Sequence, residues 1–391
     1  MSAMRDADVI IIGGGIMGCS VAWQLSKAGK SVLVLERGDV CSGSAGATDG
    51  VVGYHTKQPG PQMDLAVASI RMFSDIEKEL GPEIEFDFTA GGLQPAEDEV
   101  QWNILAEIAE KQSASGVDVH MITAEEACAL EPQLAKDIAG ALYCPTSGKI
   151  NPLNLTMAFA RGAKQRGTVI RGNTEVKAIL TAGDRAVGVR TDAGDYYADV
   201  IVNAAGSWAG KVAALPGAEL SIPIKPKRGQ LAITEPVGFF MKATVQCALY
   251  NIIKFWPDRV EDKRVLKLGS SLSIEQTEDG GMIIGCTREL AGFERSNTFE
   301  AIDVMMKRAI RFFPALEDVD VIRFFTGFRP YTPDGRPLLG EISRLPGFYM
   351  AAGHEGDGIA LAPITGKILT DLICEGHTDL DVSAFDPNRF F

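Results

Sequence analysis

The sequence predicts an α/β protein: a Rossmann-like parallel sheet joined to a second, α+β domain built on an antiparallel sheet. Three observations predict it. An apolar run, a glycine triplet and an amphipathic run follow one another within residues 9–28. Glycine-containing strand ends recur at residues 205–206 and 353–358. The stretch from Pro223 changes character, with alternating apolar and polar residues and one helical run before Pro314.

The first of these segments carries the most information. Val9–Ile12 reads as a buried strand, and Gly13, Gly15 and Gly18 follow it in the spacing G-x-G-x-x-G. Ile16–Ala28 reads as a helix with Gly29 at its C-terminal end, and Ser31–Leu35 reads as a second strand ending on Glu36. Each part has a mechanical role in holding a dinucleotide. Gly13 permits the tight turn, Gly15 lets a pyrophosphate approach the backbone, and Gly18 lets the helix lie close on the strand. The helix N-terminus offers free N–H groups and partial positive charge to phosphates. Glu36 stands where an acid accepts from ribose hydroxyls. Glycine-rich turns alone are common, but here strand, helix, second strand and terminal acid agree.

Composition bounds the remainder. A chain of 391 residues, 46% hydrophobic and 23% charged, is a soluble globular type long enough for two domains. A formal charge of −13 argues against nucleic acid or an anionic membrane as partner. The seven cysteines are scattered without a C-x-x-C, so neither a zinc ribbon nor an iron–sulfur cluster is signalled. That usage fits a reducing, cytoplasmic compartment. The four histidines show no metal-ligand spacing, so no metal is expected. Arg5 before an apolar run mimics a secretory leader, but Asp6, Asp8 and the glycines argue for the dinucleotide motif instead. No run reaches transmembrane length.

The remaining elements follow in order. Gly38–Gly53 is a small, polar, glycine-rich loop suited to lying against a flat ligand, with Ser44 and Thr48 as hydroxyl donors. Tyr54 and His55 follow it, as pocket or packing residues. Met63–Leu80 has helical spacing and ends before Gly81-Pro82. A strand begins near Gly91–Leu93, and helices are expected at Glu99–Ser115, Ala124–Glu131 and Leu153–Arg166. A meander covers Glu175–Thr181, Ala186–Thr191 and Tyr196–Ala198, and leads to the strand Val200–Asn203. Ala205-Gly206 at its end is expected beside the first fingerprint in a parallel sheet. The second region predicts strands at Gln230–Thr234, Thr244–Ile253, Val265–Leu268 and Met282–Cys286, with a helix at Phe299–Phe312. A strand at Phe348–Ala352 then leads to a glycine-rich turn opening a helix, Gly358–Ile373.

With these motifs in place, the chain resembles the D-amino-acid oxidase superfamily of FAD-dependent amine oxidoreductases. The branch is the one holding glycine oxidase, sarcosine oxidase and D-amino-acid dehydrogenases. GFRPYTPDGRPLLG (Gly327–Gly340) and GHEGDGIALAPITG (Gly353–Gly366) look most like the flavin subunits of opine oxidases and hydroxyproline dehydrogenases. The resemblance spans nearly the whole chain. It implies a discontinuous FAD-binding domain at 1–88, 145–222 and 323–391, and a substrate domain at 89–144 and 223–322. It implies that Glu36 and Arg37 hold the adenosine, that the Val176 backbone touches adenine, and that Ser44, Thr48, Ala205, Gly206, Gly356, Gly358 and Ile359 line the flavin. Ile16, Met17, Gly43, Ala47 and Trp208 complete the implied groove, with Gly353, Glu355 and Asp357 at the last turn. Asp49 is unusual beside such a cofactor, and the sequence leaves its direction open.

Arg329 is the expected substrate anchor. Its guanidinium is a planar fork that matches a carboxylate, and the resemblance assigns the arginine of this G-x-R-P motif that task. The plain alternative is a structural pair with Asp334. Tyr250, placed on a strand of the second domain, resembles the family's tyrosine that assists the carboxylate; a core tyrosine is the alternative. The implied reaction moves a hydride from the carbon bearing the amine to flavin N5, with a small-molecule amine or amino acid as substrate. The FAD is expected to be non-covalent, because Gly327–Gly340 contains no cysteine. The alternatives are a flavin subunit inactive without a partner chain, and another flavin class such as a monooxygenase or 2-hydroxyacid dehydrogenase; the assembly is left open between a partner subunit and a homo-oligomer. Glu355 and Asp357 suggest either a substrate larger or more cationic than glycine, or simple capping of the following helix.

Overall fold

In a computed structural model, which describes residues 5–391, two sheets face each other across a common cavity. The smaller sheet contains β1 (Val9–Ile12), β2 (Val32–Leu35), β3 (Val169–Arg171), β4 (Val200–Asn203), β5 (Leu338–Glu341) and β6 (Phe348–Ala352). Their spatial order is β5-β6-β4-β1-β2-β3. β1 lies centrally, parallel to both β2 and β4, with Val9 opposite Val32 and Val200. β5 closes the edge antiparallel to β6. The three glycine-containing strand ends expected from the sequence therefore stand side by side, on β1, β4 and β6.

The alternation along β1 and β2 explains why both faces of this sheet are covered. Val9, Ile11, Val32 and Val34 enter one apolar cluster, while Ile10, Ile12, Leu33 and Leu35 enter another. A parallel sheet buried on both faces reads as continuous apolar runs, and these four-residue strands are fully buried. On one side α1 (Ile16–Lys27) packs against α2 (Gly358–Glu375) and the helix Pro152–Gln165. α1 and α2 meet where Ser20 Oγ donates to the Ala362 carbonyl at 2.7 Å. A side chain on Gly366 would strike Ser20 there.

The larger sheet has eight strands. Val321–Tyr331 forms its edge and runs antiparallel to Lys225–Thr234 along its length, with Arg329 opposite Lys227. Met282–Gly285, Ser273–Gln276 and Thr244–Gln246 follow, then Gly92–Ala96, Gly140–Cys144 and His120–Ile122. The expected meander is a separate three-stranded sheet, Val176–Ala182, Arg185–Thr191 and Gly194–Tyr197.

Several expectations need correction. Met63–Leu80 is two helices, Pro61–Ile70 and Phe73–Leu80, and the break lets both Met63 and Phe73 reach the core. The strand expected over Thr244–Ile253 stops at Gln246, and Leu249–Phe255 is helical, so Tyr250 stands on a helix. Val265–Leu268 belongs to a short helix, Lys263–Leu268. Asp262 starts it by accepting from the N–H groups of Arg264 and Val265, and Gly269 ends it at φ +56°. Short apolar runs do not separate strand from helix by pattern alone; the Asp and Gly caps were the available signal. Among the described residues no helix is long and apolar enough to cross a membrane.

A Cβ added to Gly18 would collide with the Gly13 carbonyl oxygen, whereas one on Gly15 would meet nothing within 4 Å. Gly18→Ala is therefore expected to destabilise the apoprotein by about 1–3 kcal/mol, and Gly15→Ala by less than about 1 kcal/mol. Denaturant midpoints of the two variants check the order, which reverses if Gly18 is not a contact point.

Candidate active site

The cavity between the sheets has a volume of about 480 Å³ and draws its lining from both. At one end the N-terminus of α1 opens onto it, and no side chain caps that helix. At the other end the N-terminus of α2 does the same, again without a side-chain cap. Two bare helix N-termini aimed into one groove favour anionic or electron-rich ligand atoms. Gly15 and Gly206 leave open space where a Cβ would project, so a ligand is able to reach the backbone there.

The polar lining is already oriented. Glu36 Oε2 accepts from the Gly14 N–H at 2.7 Å and Oε1 from the Gly38 N–H at 2.9 Å, which fixes the carboxylate at the groove wall. Arg37 lies over the Trp208 ring at 4.0 Å, and Trp208 stacks on Phe293. Ser44 and Ser207 both donate to the Phe328 carbonyl, tying the glycine-rich loop and the β4 turn to the strand that carries Arg329.

The expected residues mostly converge. Gly13, Gly15, Ile16, Met17, Glu36 and Arg37 line the cavity, as do Gly43, Ser44, Ala47, Thr48 and Val176. So do Ala205, Gly206, Trp208, Tyr250, Arg329, Glu355, Gly356, Gly358 and Ile359. Three do not. Gly18 sits beneath the turn as a packing glycine. Gly353, at φ +88°, packs against Thr332 and Leu338. Asp357 points away into an ion cluster. Sequence reading missed Lys211, Arg295 and Phe328, which line the cavity. Lys211 was findable as the residue one helical turn beyond Trp208. Asp49 lines the cavity as well, with its carboxylate accepting from Ser273 Oγ.

Arg329 is not committed to Asp334, which pairs with Arg389 at 2.8 Å. Its Nη1 donates to the Thr287 carbonyl at 2.8 Å, and its guanidinium lies across Gly229, where any side chain would collide with it. A Cβ on Gly356 would lie 3.3 Å from Arg329 Nε and 3.8 Å from the Tyr250 hydroxyl, so all three meet at one point of the wall. Arg288 stacks over the Tyr250 ring at 4.1 Å. Burial pushes the Tyr250 hydroxyl pKa up, against the pull of Arg288.

The two acids of the last turn are neutralised from inside. Burial would raise the Glu355 pKa, but Lys254, Lys227, Arg288 and Arg329 hold it down at about 2. Lys227 Nζ approaches it to 3.5 Å. Asp357 is held well below the usual carboxylate range, with Lys254 and Lys57 overcoming the burial penalty. It meets Lys57 at 3.0 Å, Lys254 at 3.3 Å and Gln62 at 2.9 Å. The capping reading does not hold, since neither side chain caps α2, and both acids are paired with cations rather than free.

Three buried groups give the protein a readable pH response. His55, hydrogen-bonded to Ser147, and His354, hydrogen-bonded to Thr365 at 2.9 Å, are both pushed down to about 3, chiefly by burial. Below about pH 6.5 the unfolded chain takes up protons that these two refuse, so stability present above that pH is lost as pH falls toward 3. Glu275 is pushed up to about 8, first by burial and then by Asp49. Its contribution is full below the ordinary value of 4.5 and is lost as pH rises toward 8. The Glu275→Gln apoprotein is therefore expected to lose less stability than wild type between pH 6.5 and 8, the window set by these groups. Denaturant midpoints at the two ends check this; identical slopes would remove Glu275 as the cause.

The family model described as "DAO: FAD dependent oxidoreductase" matches residues 8–372. The bifunctional protein ThiO/ThiG of Synechocystis sp. is 31% identical over 98% of this chain, which spans 54% of that relative. An opine oxidase subunit of Rhizobium meliloti is 27% identical over 99% of this chain and 98% of its own. The crystal structure of L-proline dehydrogenase from P. horikoshii superposes with a TM-score of 0.87 at 29% identity, covering 99% of this chain and 98% of that one.

Proposed function

We propose, from the premise that the chain belongs to the DAO family of FAD-dependent oxidoreductases, that it oxidises an amino acid or secondary amine bearing a carboxylate. The single observation that carries the substrate class is Arg329. It is a half-buried guanidinium at the cavity wall, held by a backbone carbonyl and free of Asp334. A carboxylate is the anion that a fork of this shape binds through two parallel hydrogen bonds.

The residues present fit the family's cofactor. Gly13, Gly15 and the first turn of α1 would take the pyrophosphate, and Glu36 the adenosine ribose. Thr48, Ala205, Gly206, Gly356, Gly358 and Ile359 would border the ring system. Bound FAD supplies the acceptor for a hydride from the carbon bearing the amine. The chain's own residues supply the rest. Arg329 fixes the carboxylate, the Tyr250 hydroxyl donates beside it, and the lining of Phe328, Trp208 and Ile359 excludes water. Orientation of this kind is a large part of such catalysis.

We assign cofactor binding to the segments about the small sheet, 1–88, 145–222 and 323–391, and substrate cover to 89–144 and 223–322. The strand Val321–Tyr331 carries Arg329 from the large sheet to the groove. The seven free cysteines support a reducing compartment. Similarity to a relative named as a subunit supports a partner chain as a second reading. In that case the purified chain bleaches with no amine until its partner is added.

Two measurements test the proposal. Under anaerobic conditions, a panel of glycine, sarcosine, proline and an opine should contain at least one compound that bleaches the flavin. Arg329→Met should keep its flavin and lose about 2–5 kcal/mol in kcat/KM for that compound; an unchanged value makes Arg329 structural. None of the seven cysteines lines the cavity, and His354 there is bonded to Thr365. We therefore expect acid precipitation to leave the yellow colour in the supernatant. Colour retained in the pellet overturns the non-covalent assignment.

A further inference from the structure

Asp49 borders two spaces at once. It lines the large cavity together with Thr48, Tyr250 and Arg329. It also borders a small inner cavity of about 20 Å³, with Lys57, Gln246, Tyr250 and Asp357 on the other sides. That volume suits one water with polar partners. The Asp49 carboxylate accepts from Ser273 Oγ at 2.8 Å through Oδ2, and Thr48 Oγ1 lies 3.4 Å from Oδ1. The next residue, Gly50, donates its N–H to Glu275 Oε1 at 2.7 Å. Ser273 and Glu275 are two apart on one strand, so their side chains leave the same face. That face holds the Asp49–Gly50 step in place, and Glu275 Oε2 stays buried without a partner.

The other acids around the cavity are occupied. Glu355 is surrounded by Lys227, Lys254, Arg288 and Arg329. Asp357 is locked to Lys57 and Lys254 and does not line the large cavity. Glu36 holds two backbone N–H groups at the opposite end, and Glu175 there pairs with Lys177. Among the described residues, Asp49 is the acid at the Arg329 end whose hydrogen-bond partners are hydroxyls alone.

We propose that Asp49 receives the substrate's ammonium group and takes its proton, while Arg329 holds the carboxylate of the same molecule. This assignment rests on the amine-oxidising reading above. An ammonium has no lone pair, and its charge opposes removal of a hydride from the adjacent carbon. In the proposed step one ammonium N–H bond breaks, its electron pair stays on nitrogen, and an O–H bond forms on the Asp49 carboxylate. The freed lone pair then assists as the carbon-bound hydrogen leaves with its electron pair to the oxidised cofactor, giving an iminium ion. The groups that face Asp49 are Tyr250 from its helix, Glu275 from the large sheet, and Lys57 and Asp357 across the inner cavity. Lys149 also acts on Glu275. Of this pair Asp49 is the one that lines the large cavity, while Glu275 is held behind it by the Gly50 N–H.

The test uses the holoenzyme, with wild type, Asp49→Asn, and Asp49→Ser in case the asparagine variant fails to fold. Flavin content is measured throughout. Anaerobic reduction by glycine, sarcosine and proline is followed against pH. The variants should be slower by about 10²–10⁴-fold at neutral pH, the usual range for loss of a positioned base. They should recover as pH rises toward the free amine's own pKa, because solvent then removes the proton. Benzoate, a carboxylate without an amine, is the binding probe, read by calorimetry. The Asp49 variants should bind it at least as tightly as wild type, because they lack a negative group facing it. Variants reduced at the wild-type rate, or slowed without recovery at high pH, or weakened toward benzoate, overturn the assignment. A wild-type protein that none of the amines reduces, alone or with a partner chain added, overturns the functional reading instead.

Discussion

The close contact between Gly18 and the Gly13 carbonyl is the constraint from which the cofactor end of the molecule follows. It seats α1 directly on the end of β1, so the helix axis and its uncapped N-terminus point along the groove. The same seating fixes where α2 lies, because Ser20 and Gly366 require those two helices to touch. α2 then brings its own uncapped N-terminus to the far end of the cavity. One sub-van-der-Waals restriction on a single Cβ thus sets the positions of two helix dipoles. Each favours negative charge near its first turn.

What was legible in the sequence is the part governed by local rules. The fingerprint at residues 9–18, the helix Phe299–Phe312 and the strand Phe348–Ala352 were read from periodicity and glycine placement, and the structure places the last two at the same bounds. The parallel pairing of β1 with β4 followed from matched glycine strand ends. What was not legible depends on partners far away in sequence. Val321–Tyr331 has no strict alternation, because it is an edge strand whose residues face the cavity, the core and solvent in turn. Its identity comes from pairing with Lys225–Thr234. Tyr250 was assigned to a strand because its apolar run is short, and only the turn after Gln246 makes it helical. The charge state of Glu355 and Asp357 was equally hidden, since Lys57, Lys227 and Lys254 come from segments up to 300 residues away.

Those lysines change the electrostatic character of the pocket. Read from the last turn alone, two acids promise a negative site. In the folded chain Asp357 faces two lysines and a glutamine, and Glu355 faces two lysines and two arginines. Buried charges left unpaired are strongly destabilising, so these acids serve first to let five cations occupy the wall behind the cavity. Without Glu355, Arg329 would stand beside Arg288 and Lys227 with less to offset their mutual repulsion.

The same arrangement explains why a carboxylate and an amine would be sorted to opposite sides of the site. On the Arg329 side, the acids are outnumbered and a guanidinium reaches the cavity. On the Asp49 side, the contacts to the carboxylate are two hydroxyls, and the neighbouring Glu275 holds its proton. On the proposed reading, a guanidinium and a carboxylate lining one cavity would orient a molecule carrying both charges. Tyr250 lies between the two, lining both cavities, and its raised pKa keeps it neutral so that it adds no charge to either side. On the proposed reading, recognition of amine and carboxylate together would arise from how the buried charges are compensated on the two sides of the site.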